Sequence, residues 1–127
     1  MSGTIEMLFD INRTNTILYC RNWNEMIAFY QNVLHLPVSH EKDWFIEFQI
    51  DENTYLSVAD ERRASIKSAS GKGITLSWQV TDIRTAYDKL RAQKIGVSEL
   101  ERKWGALVCY FSDPEGNRIE LWEAVKE

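Results

Sequence analysis

The apolar and polar positions of this chain follow two different periods, and the changes between them mark out its elements. "TNTILYC" (Thr14 to Cys20) is a β-rich run. "RNWNEMIAFYQNVLHL" then switches to helical spacing, with Trp23, Met26, Ile27, Tyr30 and Leu34 on one face. Asn22 stands at the N-cap with Glu25 as its capping-box partner. "PVSHE", "WFIEFQI" and "TYLSVAD" follow as three short strands separated by "EKD" and by the turn Asp51 to Asn53. They predict a three-stranded meander. The polar stretch Glu61 to Gly73 has linker composition.

Beyond the linker the same order returns. "ITLSWQV" predicts a strand, Asp82 caps a helix that carries Ile83, Ala86, Tyr87 and Leu90 on one face, and Gly96 stands at the place of a helix-ending left-handed residue. "VSELE", "ALVCYF" and "NRIELWE" predict three further strands, the last two joined by "SDPEGN", where Pro114 presets φ and Gly116 accepts φ > 0. Each half therefore reads β-α-β-β-β. The expected fold class is α+β, with two such modules, 14–60 and 74–124, around the linker 61–73 and behind an N-terminal extension, 1–13.

Composition narrows the setting. A chain of 127 residues, 44% hydrophobic, is long enough for a single domain with its own core. No run has the length and apolarity of a membrane helix, and the N-terminus lacks the pattern of a signal peptide, so a cytoplasmic location is expected. A net charge of −4 without a strong Lys/Arg cluster argues against a nucleic-acid partner. Cys20 and Cys109 lie far apart inside apolar strands and read as buried free thiols.

The paired modules, the helix segment "MIAFYQNVLHLPV" and above all "FSDPEGNRIELWE" resemble the vicinal oxygen chelate superfamily, which unites glyoxalases, bleomycin-resistance proteins and ring-cleaving dioxygenases. The resemblance covers residues 14 to 124 and implies a glyoxalase/bleomycin-resistance-like fold with an open, curved mixed sheet. His35 departs from it, since the family usually has glycine at that helix exit. The resemblance also implies a barrel whose inner surface holds a divalent metal, with ligands from the first and last strand of each module. Carried onto this sequence by its internal repeat, those positions are Asn15, Ser57, Thr75 and Glu120. Only Glu120 is a carboxylate, and neutral amide and hydroxyl oxygens are poor donors to transition metals. No metal and no other cofactor is expected here, and the metal-dependent activities of the family lose their chemistry.

Strand alternation fixes which residues share the face of Glu120. It nominates Arg118 and Trp122 on the last strand, Ile17 and Tyr19 on the first, Tyr55, Ser57 and Ala59 on the fourth, and Thr75, Ser77 and Gln79 on the fifth, with Glu47 and Gln49 added if Ile46 and Phe48 pack inward. The opposite set, from Leu18 and Cys20 to Ile119 and Leu121, is almost purely apolar. The nominated ligand-binding residues are Tyr19, Glu47, Tyr55, Ser57, Thr75, Ser77, Trp104, Arg118, Glu120 and Trp122, with Arg118 expected to pair with Glu120. Aromatic walls beside a carboxylate suit organic cations and planar drugs. Two readings follow: a metal-free, homodimeric protein that binds or sequesters a small molecule, and an enzyme of the glyoxalase/lyase type, using Glu120 as general base or a metal site completed by Glu47 or a partner chain.

Overall fold

The computed structural model describes residues 5–125. Two four-stranded mixed sheets form the body of the molecule. The first contains β1 (Thr14–Cys20), β2 (Val38–Lys42), β3 (Phe45–Asp51) and β4 (Thr54–Asp60) in the order β1-β4-β3-β2. The second contains β5 (Thr75–Gln79), β6 (Glu101–Lys103), β7 (Ala106–Ser112) and β8 (Arg118–Ala124) in the order β5-β8-β7-β6. In each sheet the first and last strands run parallel and the other pairs are antiparallel. The two halves thus repeat one topology with little repetition of letters.

Each parallel pair is bridged by a helix, α1 (Trp23–Ala28) between β1 and β2 and α2 (Ile83–Ala92) between β5 and β6. The apolar face predicted for each sheet packs beneath them, and Leu18, Cys20, Ile46, Phe48, Leu56, Val58, Cys109, Phe111, Ile119 and Leu121 join Met26, Tyr30, Ile83 and Leu90 in one core. Continuity of that core across both sheets is what makes the halves one body.

The helix ends show where local signals were right and where tertiary contacts replaced them. At α2, Asp82 accepts from the Thr85 amide at 3.2 Å and from its hydroxyl at 2.7 Å, as a cap should. Glu123 adds a second carboxylate, accepting from the Ile83 amide at 2.8 Å. At α1 the expected capping box is absent. The Asn22 side chain makes no cap bond, and Glu115 accepts instead from the Arg21 and Asn22 amides, at 3.0 and 2.7 Å. A residue 93 positions away thus supplies the anionic partner that the helix start requires.

α1 widens into a π-helical segment, Phe29–Val33, and leaves through His35 at φ +61°. The departure from glycine noted at His35 is therefore carried by a non-glycine residue in left-handed conformation. Gly96, by contrast, does not end α2. Lys94 takes the left-handed position at φ +61°, and the Ile95 amide donates to the Leu90 carbonyl at 3.1 Å, closing a Schellman motif with two apolar residues packed together. The strand predicted over "VSELE" is displaced: Val97–Leu100 form no ladder, and β6 covers Glu101–Lys103. Ser98 instead donates its amide to the Tyr110 carbonyl and accepts from the Tyr110 amide, holding this segment to β7 without regular pairing.

The β7–β8 hairpin is the best-tied turn. Gly116 adopts φ +86°, and Asp113 is buried, accepting from the Glu115 and Asn117 amides, the Asn117 side chain and the Tyr30 hydroxyl, the last at 2.7 Å. Burial and the neighbouring Asp113 charge push the Tyr30 hydroxyl far above the usual phenol range, so it remains a donor. The linker turn is pressed onto the same hairpin: a Cβ on Gly71 would lie 2.1 Å from the Gly116 carbonyl oxygen. Only glycine fits there, because its φ is also +78°.

Replacing Tyr30 by Phe keeps the ring and removes one donor from a buried carboxylate. The expected loss is about 1.5–3 kcal/mol, read as a lower urea midpoint with an unchanged m-value. Cys20 and Cys109 are free and buried, and burial raises both thiol pKa values, reinforced at Cys20 by the charges of Glu115 and Asp113. Native protein should therefore be nearly inert to Ellman's reagent at pH 8, both thiols reacting only on denaturation. Rapid modification of the native protein would contradict that burial.

Candidate functional site

The face opposite the helices carries the polar residues nominated from the sequence, divided between two networks. On the first sheet, β1 and β4 run side by side and bring Asn15 to Ser57, whose hydroxyl donates to the Asn15 carbonyl oxygen at 2.9 Å. Glu47, opposite Ser57 on β3, accepts from Arg13 at 2.6 Å, from Ser39 at 2.8 Å and from Asn15 at 3.4 Å. Arg13 also lies 3.6 Å above the Tyr55 ring. The first network is closed on itself: its carboxylate is neutralised and one face of Tyr55 is taken. Tyr19 lies on the same strand face and is half-buried.

On the second sheet the register sets Ser77 and Tyr110 on either side of Glu120, and Gln79 and Val108 on either side of Trp122. Ser77 donates to the Glu120 carboxylate at 2.5 Å. The Arg118–Glu120 pair expected from the sequence does not form. Arg118 donates to the Thr75 hydroxyl at 3.0 Å and places its guanidinium 4.7 Å from the Tyr110 ring centre. Neighbours two apart on a strand share a face, but Thr75 directly across on β5 and Tyr110 diagonally across on β7 take the guanidinium instead. Among the described residues no cation comes within 4.0 Å of Glu120. Among the described residues Glu120 is thus a half-buried carboxylate with one hydroxyl partner and no cation, two residues from Trp122 on the same strand face, while Arg118, two residues to its other side, has no carboxylate partner.

Tyr110 and Val108 were not among the nominated residues. Alternation within "ALVCYF" puts both on the face of Glu120, and the length of the "SDPEGN" hairpin sets Tyr110 directly across from it. Trp104 lies apart from the strand residues, in the β6–β7 turn at φ +49° and 93% exposed, with Lys103 5.9 Å from its ring centre. Lys103 also lies 5.2 Å from the Tyr110 ring centre and 3.9 Å from the Glu101 carboxylate.

The metal that the fold implies can be tested against these donors. Asn15 and Ser57 satisfy each other, the Thr75 hydroxyl accepts from Arg118, and Glu47 already has three donors. Glu120 alone has the charge a divalent ion needs, and the four positions do not fit a transition metal. Among the described residues no group of three or more His, Cys, Asp or Glu side chains is arranged to hold an ion.

The topology and the barrel-facing strands agree with a family model described as "Glyoxalase-like domain", which matches residues 13–126. The chain belongs to the glyoxalase-like domain family. A curated relative, the uncharacterized protein YraH of Bacillus subtilis (strain 168), is 24% identical over 119 residues, covering 84% of this chain and 93% of YraH. Among solved structures, a glyoxalase/bleomycin resistance protein/dioxygenase from Nocardioides superposes with a TM-score of 0.77 at 21% identity, covering 97% of this chain and 87% of that one. TnmS3, an antibiotic binding protein from Streptomyces sp. CB03234, gives 0.76 at 16% identity over 94% and 99% of the two chains. A lactoylglutathione lyase from Agrobacterium tumefaciens gives 0.72 at 21% identity over 86% and 90%. These likenesses establish the vicinal oxygen chelate fold, which enzymes and binding proteins share.

The donor chemistry predicts that purified protein carries far less than one transition metal per chain. Elemental analysis finding about one equivalent, lost on Glu120→Ala, would contradict it.

Proposed function

We propose that this glyoxalase-like protein binds a small molecule without a metal, and that its ligand is a planar aromatic compound carrying a cationic group. The observation that carries the reading is the contrast between two carboxylates on the same side of the fold. Glu47 is occupied by Arg13, Asn15 and Ser39, whereas Glu120 has Ser77 and no cation. A half-buried carboxylate without a counter-charge attracts a cation and loses little on binding it, because part of its desolvation has already been met by folding.

In this reading Glu120 anchors the cationic group while the half-buried Trp122, packed beside the buried Val108 in the register, offers an apolar surface next to it. Ser77 and Gln79 line the exposed β5 side of that surface. Tyr110 serves less as a stacking wall than as a support, since Arg118 and Lys103 both lie over its ring. Those two cations repel a second positive group, which favours a ligand with one amine rather than a polyamine. Trp104, exposed in its turn, is proposed to close over the bound ring. On the first sheet Tyr19, Glu47 and Tyr55 line the other half of the surface, the fully buried Ser57 holding Asn15 behind them, and Thr75 with Arg118 borders the second half.

We further propose that the protein works as a homodimer. β1 and β5 are edge strands, and Thr16, Ile17, Thr75, Ser77 and Gln79 along them are exposed. A second chain would cover these edges and enclose the half-open surface. The enzyme reading has weaker support: the metal positions lack donors, and likeness to the lactoylglutathione lyase extends to the fold alone.

Glu120→Gln tests the anchor. The amide keeps the shape and can still accept from Ser77, so the melting temperature should stay nearly constant. Affinity for a cationic acridine such as proflavine, followed by quenching of tryptophan fluorescence, should fall by about 1–3 kcal/mol, roughly 5- to 150-fold. A destabilised variant with unaltered binding would remove Glu120 from the site.

A further inference from the structure

Two apolar surfaces are left uncovered among the described residues. The first is the segment before β1. Ile5, Met7, Leu8, Phe9 and Ile11 are all exposed, Leu8 at 95%. Five exposed apolar side chains among seven consecutive residues are far from the scattered single exposures normal for a protein surface. The segment bends at Leu8–Phe9 in the single chain; drawn out as a strand on a partner it would set Ile5, Met7, Phe9 and Ile11 on one side and Glu6, Leu8 and Asp10 on the other.

The second is a cleft of about 720 Å³ between the end of α1 and α2, on the helix-covered side of the second sheet. Its walls are mostly apolar, with Leu34 and Leu36 from the helix exit, Trp78 and Leu121 from the sheet, and Ala86 from α2. Lys89 and His35, both exposed, border it. Among the described residues neither side chain has an ion-pair or hydrogen-bond partner. The end of the π-helical segment and the left-handed His35 form this wall, since Val33, Leu34, His35 and Leu36 all line the cleft.

We propose that residues 5–11 of one chain dock in this cleft on a second copy, so that two chains exchange arms. The proposal deepens the homodimer suggested above and rests on it. Charge favours the match, since Glu6 and Asp10 on the arm would meet the Lys89 ammonium at the cleft border. Arg13 favours a second copy over the same chain. Its ion pair with Glu47 and its stacking on Tyr55 fix the root of the arm on the face away from the helices. To reach its own cleft the arm would have to turn around a sheet edge within roughly 25 Å of fully extended chain. A second copy presents its cleft without that detour. Reciprocal exchange closes with two-fold symmetry and leaves no open end to propagate.

Light scattering on the full chain and on exposed-residue variants decides the matter. The unmodified protein should show about twice its 14.9 kDa chain mass at micromolar concentration. The double variant Leu8→Asp/Phe9→Asp should run at the single-chain mass with an unchanged circular dichroism spectrum, because neither side chain is buried within its own chain. Lys89→Glu should weaken the dimer about 5- to 10-fold, and adding Glu6→Lys/Asp10→Lys should restore it. A monomeric unmodified protein would overturn both the dimer and the arm exchange. A dimer indifferent to Leu8→Asp/Phe9→Asp would leave the dimer standing and overturn the exchange. A dimer sensitive at Leu8 and Phe9 but indifferent to Lys89→Glu would remove the cleft as the seat of the arm. Equal binding of anilinonaphthalene sulfonate by the unmodified and Leu8→Asp/Phe9→Asp proteins, abolished by Ala86→Trp, would assign the cleft to a small amphiphile and overturn the exchange.

Discussion

The carboxylate of Asp113 is the constraint on which the rest of the arrangement depends. It is buried, and it accepts from two backbone amides of its own hairpin, from Asn117 and from Tyr30 on the other half of the chain. A buried charge is tolerated only when its lone pairs are met by donors, and here each donor performs a structural task. The two amides fix the turn, and with it the β7–β8 register that sets Tyr110 opposite Glu120. Tyr30 carries the constraint across to α1, where Phe29 packs against Phe111 at 6.3 Å between ring centres. Glu115, held two residues beyond Asp113, then caps the start of α1 and accepts from Ser68 of the linker at 2.7 Å. One turn thus aligns a strand pair, a helix and the linker.

The repeated topology makes differences between the halves informative. Both sheets place a carboxylate on the face away from the helices, on different strands. In the first half the arginine just before β1 reaches that carboxylate, and an asparagine and two serines complete the network. In the second half the arginine on β8 turns to Thr75 and Tyr110, and the carboxylate beside it keeps only a serine. The first arrangement has the character of a rigid wall, because every polar group already has its partner. The second retains an unbalanced charge where a ligand could supply the balance. One repeated topology thus carries a half whose carboxylate is neutralised and a half whose carboxylate, among the described residues, is not.

Much of this was readable from local pattern. The place of Glu120 beside Trp122 on a polar face, opposite Ile119 and Leu121, needed only strand alternation and a recognisable hairpin. The Asp82 cap needed only its own helix start. What escaped were contacts supplied by distant residues. Asn22 and Glu25 have the letters of a capping box, but Glu115 reaches the same amides and displaces it. Gly96 has the freedom to end a helix, yet the chain turns at Lys94 because Ile95 can then pack with Leu90. Arg118 looked like the partner of Glu120 because they are two apart, while the cross-strand neighbours that draw it away are 43 residues earlier and 8 residues earlier in the chain. Tyr110 is legible in principle, since alternation and hairpin length place it opposite Glu120.

The neutral donors at the metal positions have a physical consequence beyond the loss of an ion. In a metal site the ligands are held in place largely by the ion itself, and without it like-charged side chains would repel across the gap. Asn15 and Ser57 avoid that problem by bonding to each other, and Thr75 does so by accepting from Arg118. The face is therefore ordered by its own hydrogen bonds before any ligand arrives. Order of this kind lowers the entropic cost of binding, because the side chains that line the surface have already lost their rotamer freedom on folding. In the proposed function the same substitutions also leave the surface without a Lewis acid to make it reactive. The substitutions that weaken the case for catalysis are thus the ones that favour a preorganised binding surface.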